Sequence, residues 1–337
     1  MSYILAILGF GLLIIVHELG HFIAAKLNGV KVVEFSIGMG PKIFSHKGKE
    51  TTYALSLLPV GGYVQMLGEE ENVDDERSFS AKSPLRRISI ILAGVFMNFV
   101  MAIVIFSSIF STSGFATSTL DKVEAGSPAA TVGLMPEDKI TKVNGSRVFT
   151  NSDISVEINM TKGKSIDIEY ERAGVKNSVT VNPSYIEDEG RYIIGVRFKA
   201  DKNPSILASV KESFNQTASL IVQTFKGFKM IFTGEANLKT DVGGPVTIIK
   251  MSAGAAKVGI WNLMGLLAIL SVSIAVFNLL PFPALDGGWA VILFIELITG
   301  RKVPDKIVGV LNTVGFMLLI GIMILVTIKD IIFPISF

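Results

Sequence analysis

Val16-His17-Glu18-Leu19-Gly20-His21-Phe22 lies inside the first apolar run of the chain, residues 3–27, and its reading decides the rest. On a helix, a separation of four places His17 and His21 on one face about one turn apart, so two imidazoles can share one metal ion. Glu18 sits one position round, where it can take a proton from a water without itself being a ligand. Two histidines and a carboxylate in an apolar helix would each cost ~2–3 kcal/mol, and ionisable groups at membrane depth are functional by default. A bound zinc, with roughly 10–16 kcal/mol of binding free energy in structural sites, offsets that cost. Histidines buried only for packing have nothing to set against it.

The setting is a membrane one. Of 337 residues, 50% are hydrophobic and 18% charged, with a mean hydropathy of +0.54, which describes a polytopic membrane protein. A net charge of +2 without an arginine-rich aromatic module excludes nucleic acid as a partner. There is no cysteine, hence no disulfide framework and no thiolate metal site. Of the three histidines, His46 falls in the polar stretch Ser45-His46-Lys47-Gly48-Lys49 and reads as a solvated loop residue, so a third ligand is expected to be a carboxylate. The first run lacks a basic n-region and continues past His21, which predicts a retained helix and not a cleaved signal.

Beyond Lys26, the runs Val30 to Ile37, Pro41 to Phe44, Thr52 to Leu58 and Gly61 to Met66 are β-branched or aromatic and punctuated by glycine and proline, which predicts a small hairpin sheet. Its turns are apolar enough to lie against the membrane and offer an edge strand to an extended peptide, although a plain cytoplasmic hairpin has the same spacing. Glu69 to Glu76 is an acidic loop. Lys82, Arg86 and Arg87 precede the second apolar run, Ile88 to Phe110, and mark that end as cytoplasmic. Within it Gly94 and Asn98 share a face, suited to close helix packing or to substrate contact.

From Gly114 to Lys199 the composition turns soluble. Residues 204–233 have apolar positions at helical spacing, predicting an amphipathic helix on the membrane or under the soluble domain. Gly243-Gly244-Pro245 breaks the chain before the third apolar run, Ile260 to Leu280. That run leads into Asn278-Leu279-Leu280-Pro281-Phe282-Pro283-Ala284-Leu285-Asp286-Gly287-Gly288, whose prolines free backbone groups that only protein or a water-filled cavity can satisfy at membrane depth. Asp286 is the candidate third ligand, completing two histidines and one carboxylate with an open position for water; a helix-capping aspartate is the alternative. Arg301, Lys302 and Lys306 precede a last apolar helix, Val308 to Ile328. The basic loops put both halves of the site at the cytoplasmic side, and the two termini and residues 114–259 outside.

These stretches resemble known families. Lys122-Val123-Glu124-Ala125-Gly126-Ser127-Pro128-Ala129-Ala130, Gly133-Leu134, Asp138-Lys139-Ile140 and Val143-Asn144-Gly145 resemble a bacterial PDZ domain, departing from its pattern at Glu137, where glycine is expected. His17-Glu18-x-x-His21, Gly94-x-x-x-Asn98 and Asn278-x-x-Pro281-x-Pro283-x-Leu285-Asp286-Gly287 together resemble the site-2 protease family of intramembrane zinc metalloproteases. Ile37 to Lys42 and Pro59 to Val64 resemble that family's membrane-associated β-hairpin region, and one inserted PDZ domain is similar to its single-PDZ form. A further departure is Val95, where relatives often carry proline.

The resemblance implies a polytopic α-helical membrane protein of about four transmembrane helices, with a small membrane-associated β-hairpin sheet and one inserted extracytoplasmic PDZ domain. The expected divisions are 1–27, first transmembrane helix with the metal box; 28–81, sheet and acidic cytoplasmic loop; 82–113, second helix; 114–199, PDZ domain; 200–259, amphipathic helix and connector; 260–290, third helix; and 291–337, cytoplasmic loop and fourth helix. It also implies one Zn2+ per chain held by His17, His21 and Asp286, with Glu18 as general base and Asn278 beside the developing oxyanion or substrate backbone. Gly94, Asn98 and the edge glycines Gly61 and Gly62 would seat the substrate. The substrates would be single-pass transmembrane proteins already trimmed on the outside, such as anti-sigma factors or signal-peptide remnants, cut in the lipid bilayer of a bacterial cytoplasmic membrane during regulated intramembrane proteolysis. A metal transporter could also carry His and Asp at this depth, but would not need Glu18 and would show inverted repeats, which are not seen. A catalytically dead PDZ adaptor would be free to lose the box.

Overall fold

The computed structural model describes residues 1–69 and 73–335; within the acidic stretch, 70–72 lie outside the described residues. It divides into two compact units, Met1–Ala102 with Lys226–Phe337, and Ile103–Phe225.

The first unit begins with α1 (Ser2–Leu27), β1 (Val32–Lys47) and β2 (Thr52–Met66), followed by α2 (Pro84–Ser113), whose last turns belong to the second unit. Each strand folds back on the other so that four runs lie side by side. Residues 32–37 pair with 62–66 on one side, through Val32 opposite Met66 and Ile37 opposite Gly62, and with 52–55 on the other. Residues 42–47 pair in turn with 52–56 as an antiparallel hairpin, from Lys42 opposite Ser56 to Lys47 opposite Thr52. These are the four runs expected from the sequence. Glu34 ties three of them: its buried carboxylate accepts from Lys42 Nζ at 2.7 Å and Tyr63 Oη at 2.6 Å. Burial pushes this carboxyl up, but the two hydrogen bonds outweigh it and hold it below its ordinary value.

The second unit carries β3 (Phe115–Val123), α3 (Pro128–Thr131), β4 (Lys139–Val143), β5 (Ser146–Arg147), α4 (Asn151–Met160), β6 (Ile166–Arg172), β7 (Val175–Val181), β8 (Ser184–Ile186), β9 (Arg191–Ile193) and β10 (Val196–Asp201). The sheet runs β10-β3-β4-β6-β7, with β5 on β4 and β8 paired with β9. Leu120, Ile140, Ile154, Ile166 and Ile168 fill its core, each fully buried. Strand, short helix, turn and hairpin follow in the expected order, and Ser127 caps α3 by accepting from Ala130 N at 3.2 Å. Glu137 has φ +69, which is why glycine is expected there; its side chain pairs with Lys199 at 3.0 Å.

The amphipathic stretch is α5 (Ile206–Thr233), and within the second unit it turns hydroxyls inward. Ser209, Ser213, Thr217 and Ser219 are buried, whereas Ile206, Leu207, Phe214 and Phe225 are exposed. Small hydroxyl side chains allow close approach: Ser213 accepts from Ser107 at 2.9 Å, and Ser219 and Gln223 donate to Asp153 of α4 at 2.6 and 3.0 Å.

The first unit then resumes with α6 (Pro245–Val258), α7 (Ile260–Asn278), α8 (Asp286–Thr299) and α9 (Asp305–Ile332). Gly243-Gly244-Pro245 does more than break the chain: Pro245 opens a helix, as its missing N–H allows, and Asp330 of α9 accepts from Gly244 N and Thr247 N at 3.1 and 2.8 Å. Among the described residues α1, α2, α7 and α9 are long and apolar enough to cross a membrane. Ala25, Val30, Val32, Val64, Met66, Phe79, Ile90, Ile91 and Leu293 form one core between α1, the sheet, α2 and α8. Gly20 brings α1 against the backbone of α2: a Cβ there would strike the carbonyl of Ala93 and stand 2.9 Å from Gly94 Cα. Arg87 of α2 and Glu296 of α8, both buried, pair at 2.7 Å.

Candidate metal centre and cavity

α1 presents His17 and His21 one above the other, with ring centroids 4.8 Å apart. Asp286, the first residue of α8, reaches them from across the loop 279–285. The three donors converge: His17 Nε2 to His21 Nε2 is 3.2 Å, His17 Nε2 to Asp286 Oδ2 is 3.2 Å, and His21 Nε2 to Asp286 Oδ2 is 3.6 Å. Tetrahedral ligands at bond lengths of about 2.0–2.1 Å stand about 3.3 Å apart, so this donor set fits a zinc-sized ion. Asp286 Oδ2 is buried without a hydrogen-bond donor, as an oxygen reserved for a cation would be. Among the described residues this is the one cluster of three such donors.

The rings are aimed from behind. His21 Nδ1 lies 2.9 Å from the carbonyl of Ile90, which fixes the proton on Nδ1 and leaves Nε2 free to ligate. His17 Nδ1 lies 3.3 Å from the amide of Asn98, whose Oδ1 finds no partner. With that amide turned by 180°, which exchanges N for O, Oδ1 accepts from His17 Nδ1–H and leaves Nε2 free to ligate. Ser271 of α7 anchors the backbone there, donating to the main-chain carbonyl of Asn98 at 2.8 Å. Gly94 lies directly under both rings: a Cβ there would stand 2.8 Å from His17 Cε1 and closer still to His21 Nε2.

In front lies a cavity of about 400 Å³, whose walls include His17, Glu18, His21, Asn278, Asp286 and Trp289. The edge run of the sheet closes one side with Gly61, Gly62, Tyr63 and Val64. Gly62 faces Glu18 across it, since a Cβ on Gly62 would come within 3.3 Å of Glu18 Cγ. A second, larger cavity, about 1050 Å³, shares Tyr63, Val64, Met66, Glu69 and Trp289 with the first and is bounded beyond them by Asn312 and Thr313 of α9.

The structure thus brings seven of the nine expected site residues, His17, Glu18, His21, Gly61, Gly62, Asn278 and Asp286, to one cavity. Gly94 and Asn98 stand behind the imidazoles, Asn98 fully buried. Two polar groups near the site escaped the sequence reading. The Ile90 carbonyl is backbone and carries no side-chain signal. Asn312 of α9, which lines the second cavity, does carry one, as an amide inside a predominantly apolar run.

A family model described as Peptidase family M50 matches residues 5–322. A Clostridium perfringens protein named as a zinc metalloprotease is 50% identical over 335 residues, covering 99% of this chain and 100% of the relative. Zinc metalloprotease RasP of Geobacillus kaustophilus is 30% identical over 413 residues, covering 98% of this chain and 97% of the relative. Among solved structures, the PDZ domain of an SdrC-like protein from Listeria monocytogenes matches at 21% identity with a TM-score of 0.23, covering 25% of this chain and 88% of that one.

Proposed function

The chain belongs to peptidase family M50, the site-2 protease family, and from that premise we propose that it cuts transmembrane segments of single-pass membrane proteins whose outer domains have already been removed. It is a membrane-embedded zinc metallopeptidase. The observation that carries the reading is the convergence of His17, His21 and Asp286 on one point in the wall of a cavity that also holds Glu18 and an exposed strand edge. Zinc, when bound by these three side chains, supplies a Lewis acid that polarises a carbonyl and makes water acidic enough to react near neutral pH.

The chain's own residues do the rest. The Glu18 carboxylate takes the proton of the attacking water and returns it to the leaving nitrogen. Asn278 reaches the cavity from the end of α7 and donates its amide N–H to the oxygen on which charge develops. A substrate helix hides its carbonyls in internal hydrogen bonds, so it must be drawn out as a strand before hydrolysis. The 62–66 edge supplies replacement backbone partners, and the absence of side chains at Gly61 and Gly62 lets that strand approach Glu18. Asn98 and Gly94 serve the substrate indirectly, by setting the imidazoles. We place the enzyme in a bacterial cytoplasmic membrane with the basic loops and the site toward the cytoplasm; the module 114–199 reads as an extracytoplasmic PDZ filter. Substrates of the class of anti-sigma factors and signal-peptide remnants suit it.

The test is cleavage of a model transmembrane peptide by detergent-purified protein, beside metal analysis. Glu18→Gln is expected to lower turnover by about 10²–10⁴-fold with zinc content and fold retained. Turnover near wild type would remove Glu18 from the chemistry.

A further inference from the structure

The loop that delivers Asp286 is held in an unfavourable backbone conformation. Ala284, two residues before the ligand, has φ +72, a region that residues with a Cβ rarely enter and that persists only where the surroundings impose it. Phe282 N donates to Leu280 O at 2.7 Å and Leu285 N to Phe282 O at 3.1 Å, but the N–H of Ala284 itself is met from another helix, by Asn312 Oδ1 of α9 at 3.2 Å. One turn on, Gly315 lets α9 lie on the same loop, since a Cβ there would stand 2.7 Å from Pro283 Cβ. Little of α9 is buried, so the helix makes few inward contacts, and this one falls on the ligand loop. An amide inside a spanning segment is costly unless it has a partner, and here the partner is the Ala284 N–H.

We propose that Asn312 is a positioning residue for the metal centre: by accepting from Ala284 N–H it holds Ala284 in its left-handed conformation and so aims Asp286 at His17 and His21. This rests on Asp286 being a zinc ligand, as argued above. α9 then serves as a brace for the site and not merely as a lipid-facing wall.

The experiment measures zinc affinity of the full-length, detergent-purified chain by chelator competition, together with the visible spectrum of the cobalt(II) form. Asn312→Leu removes the acceptor, and Asn312→Ala does so without adding bulk. Both are expected to weaken zinc binding by about 10–100-fold and to alter the cobalt bands, while circular dichroism stays that of the wild type. Ala284→Gly makes the left-handed turn easy, so the double variant Asn312→Leu with Ala284→Gly should regain at least a part of the lost affinity. Wild-type affinity and cobalt spectrum in both Asn312 variants would overturn the proposal, and so would a loss that Ala284→Gly does not relieve. Asp286→Ala is measured alongside: if it binds zinc as tightly as wild type, the ligand assignment itself falls and the brace with it. Normal Asn312 variants beside a defective Asp286→Ala overturn the brace alone.

Discussion

Gly94→Ala tests the geometry of the centre with a single methyl group. The new Cβ would stand 2.8 Å from His17 Cε1, so that ring must withdraw by about 0.6 Å to reach ordinary contact near 3.4 Å, and His21, closer still, must move further. Metal sites hold their ligand distances to about ±0.2 Å. Neither ring can retreat freely, because His21 is tied to the Ile90 carbonyl at 2.9 Å and His17 to Asn98 at 3.3 Å. Relief by helix separation is also blocked, since Gly20 already lies on the Ala93–Gly94 backbone. The loss should match that of removing an outer-shell partner, about 10–100-fold in zinc affinity or about 1.4–2.8 kcal/mol. Chelator competition measures it directly, and cleavage of a model transmembrane peptide should fall in step once zinc is limiting. A Gly94→Ala protein that binds zinc as tightly as wild type would refute the reasoning, because the rings would then not be where the packing puts them.

Other consequences can be measured in the same preparation. Asn98→Leu should weaken zinc binding by about 10-fold, whereas Asn98→Asp, which keeps an acceptor for His17 Nδ1–H, should retain most of it; equal behaviour of the two would remove the acceptor role. The Glu34 carboxyl is held below its unfolded value, so its contribution to the sheet is complete above the ordinary glutamate range, near 4.5, and is lost as pH falls through the lower folded-state value. Hydrogen exchange of residues 32–37 and 62–66, corrected for intrinsic rates, should therefore rise on acidification in wild type and lose that component in Glu34→Gln. Deleting residues 118–198 across a flexible Gly/Ser bridge should preserve cleavage of a short pre-trimmed substrate and gain cleavage of an untrimmed one. Loss of activity on the short substrate, with zinc and fold intact, would show that the module positions substrate instead of filtering it.

The centre was legible in the sequence for a physical reason. His17, Glu18, His21 and Asp286 are ionisable or metal-binding groups set in or beside apolar runs, where every such residue needs a compensating partner, so few alternatives survive. The four sheet runs were legible too, because Gly38, Gly40 and Gly61 all have positive φ and mark the bends at which the long strands fold back. At α5, hydropathy alone leaves open which face turns inward. Helical periodicity shows that one face is apolar, but it does not say whether that face meets protein or lipid. In a chain with a lipid solvent the hydroxyl face can be the buried one, as Ser213 and Ser219 are.

What the sequence concealed is how the ligands are aimed. The Ile90 carbonyl holds His21 through a backbone atom that any residue type would supply, so no pattern points to it. Asp286 reads as a ligand from its motif, yet its direction depends on Ala284 accepting a positive φ, and alanine announces no such thing. The contact that supports it comes from Asn312, 28 positions away along the chain and on a helix whose run of apolar residues reads as packing. The ligand set of such a site can therefore be read locally, whereas its geometry is a property of contacts between helices. Substitutions at Gly94, Asn98 or Asn312 should accordingly damage zinc affinity without touching a ligand.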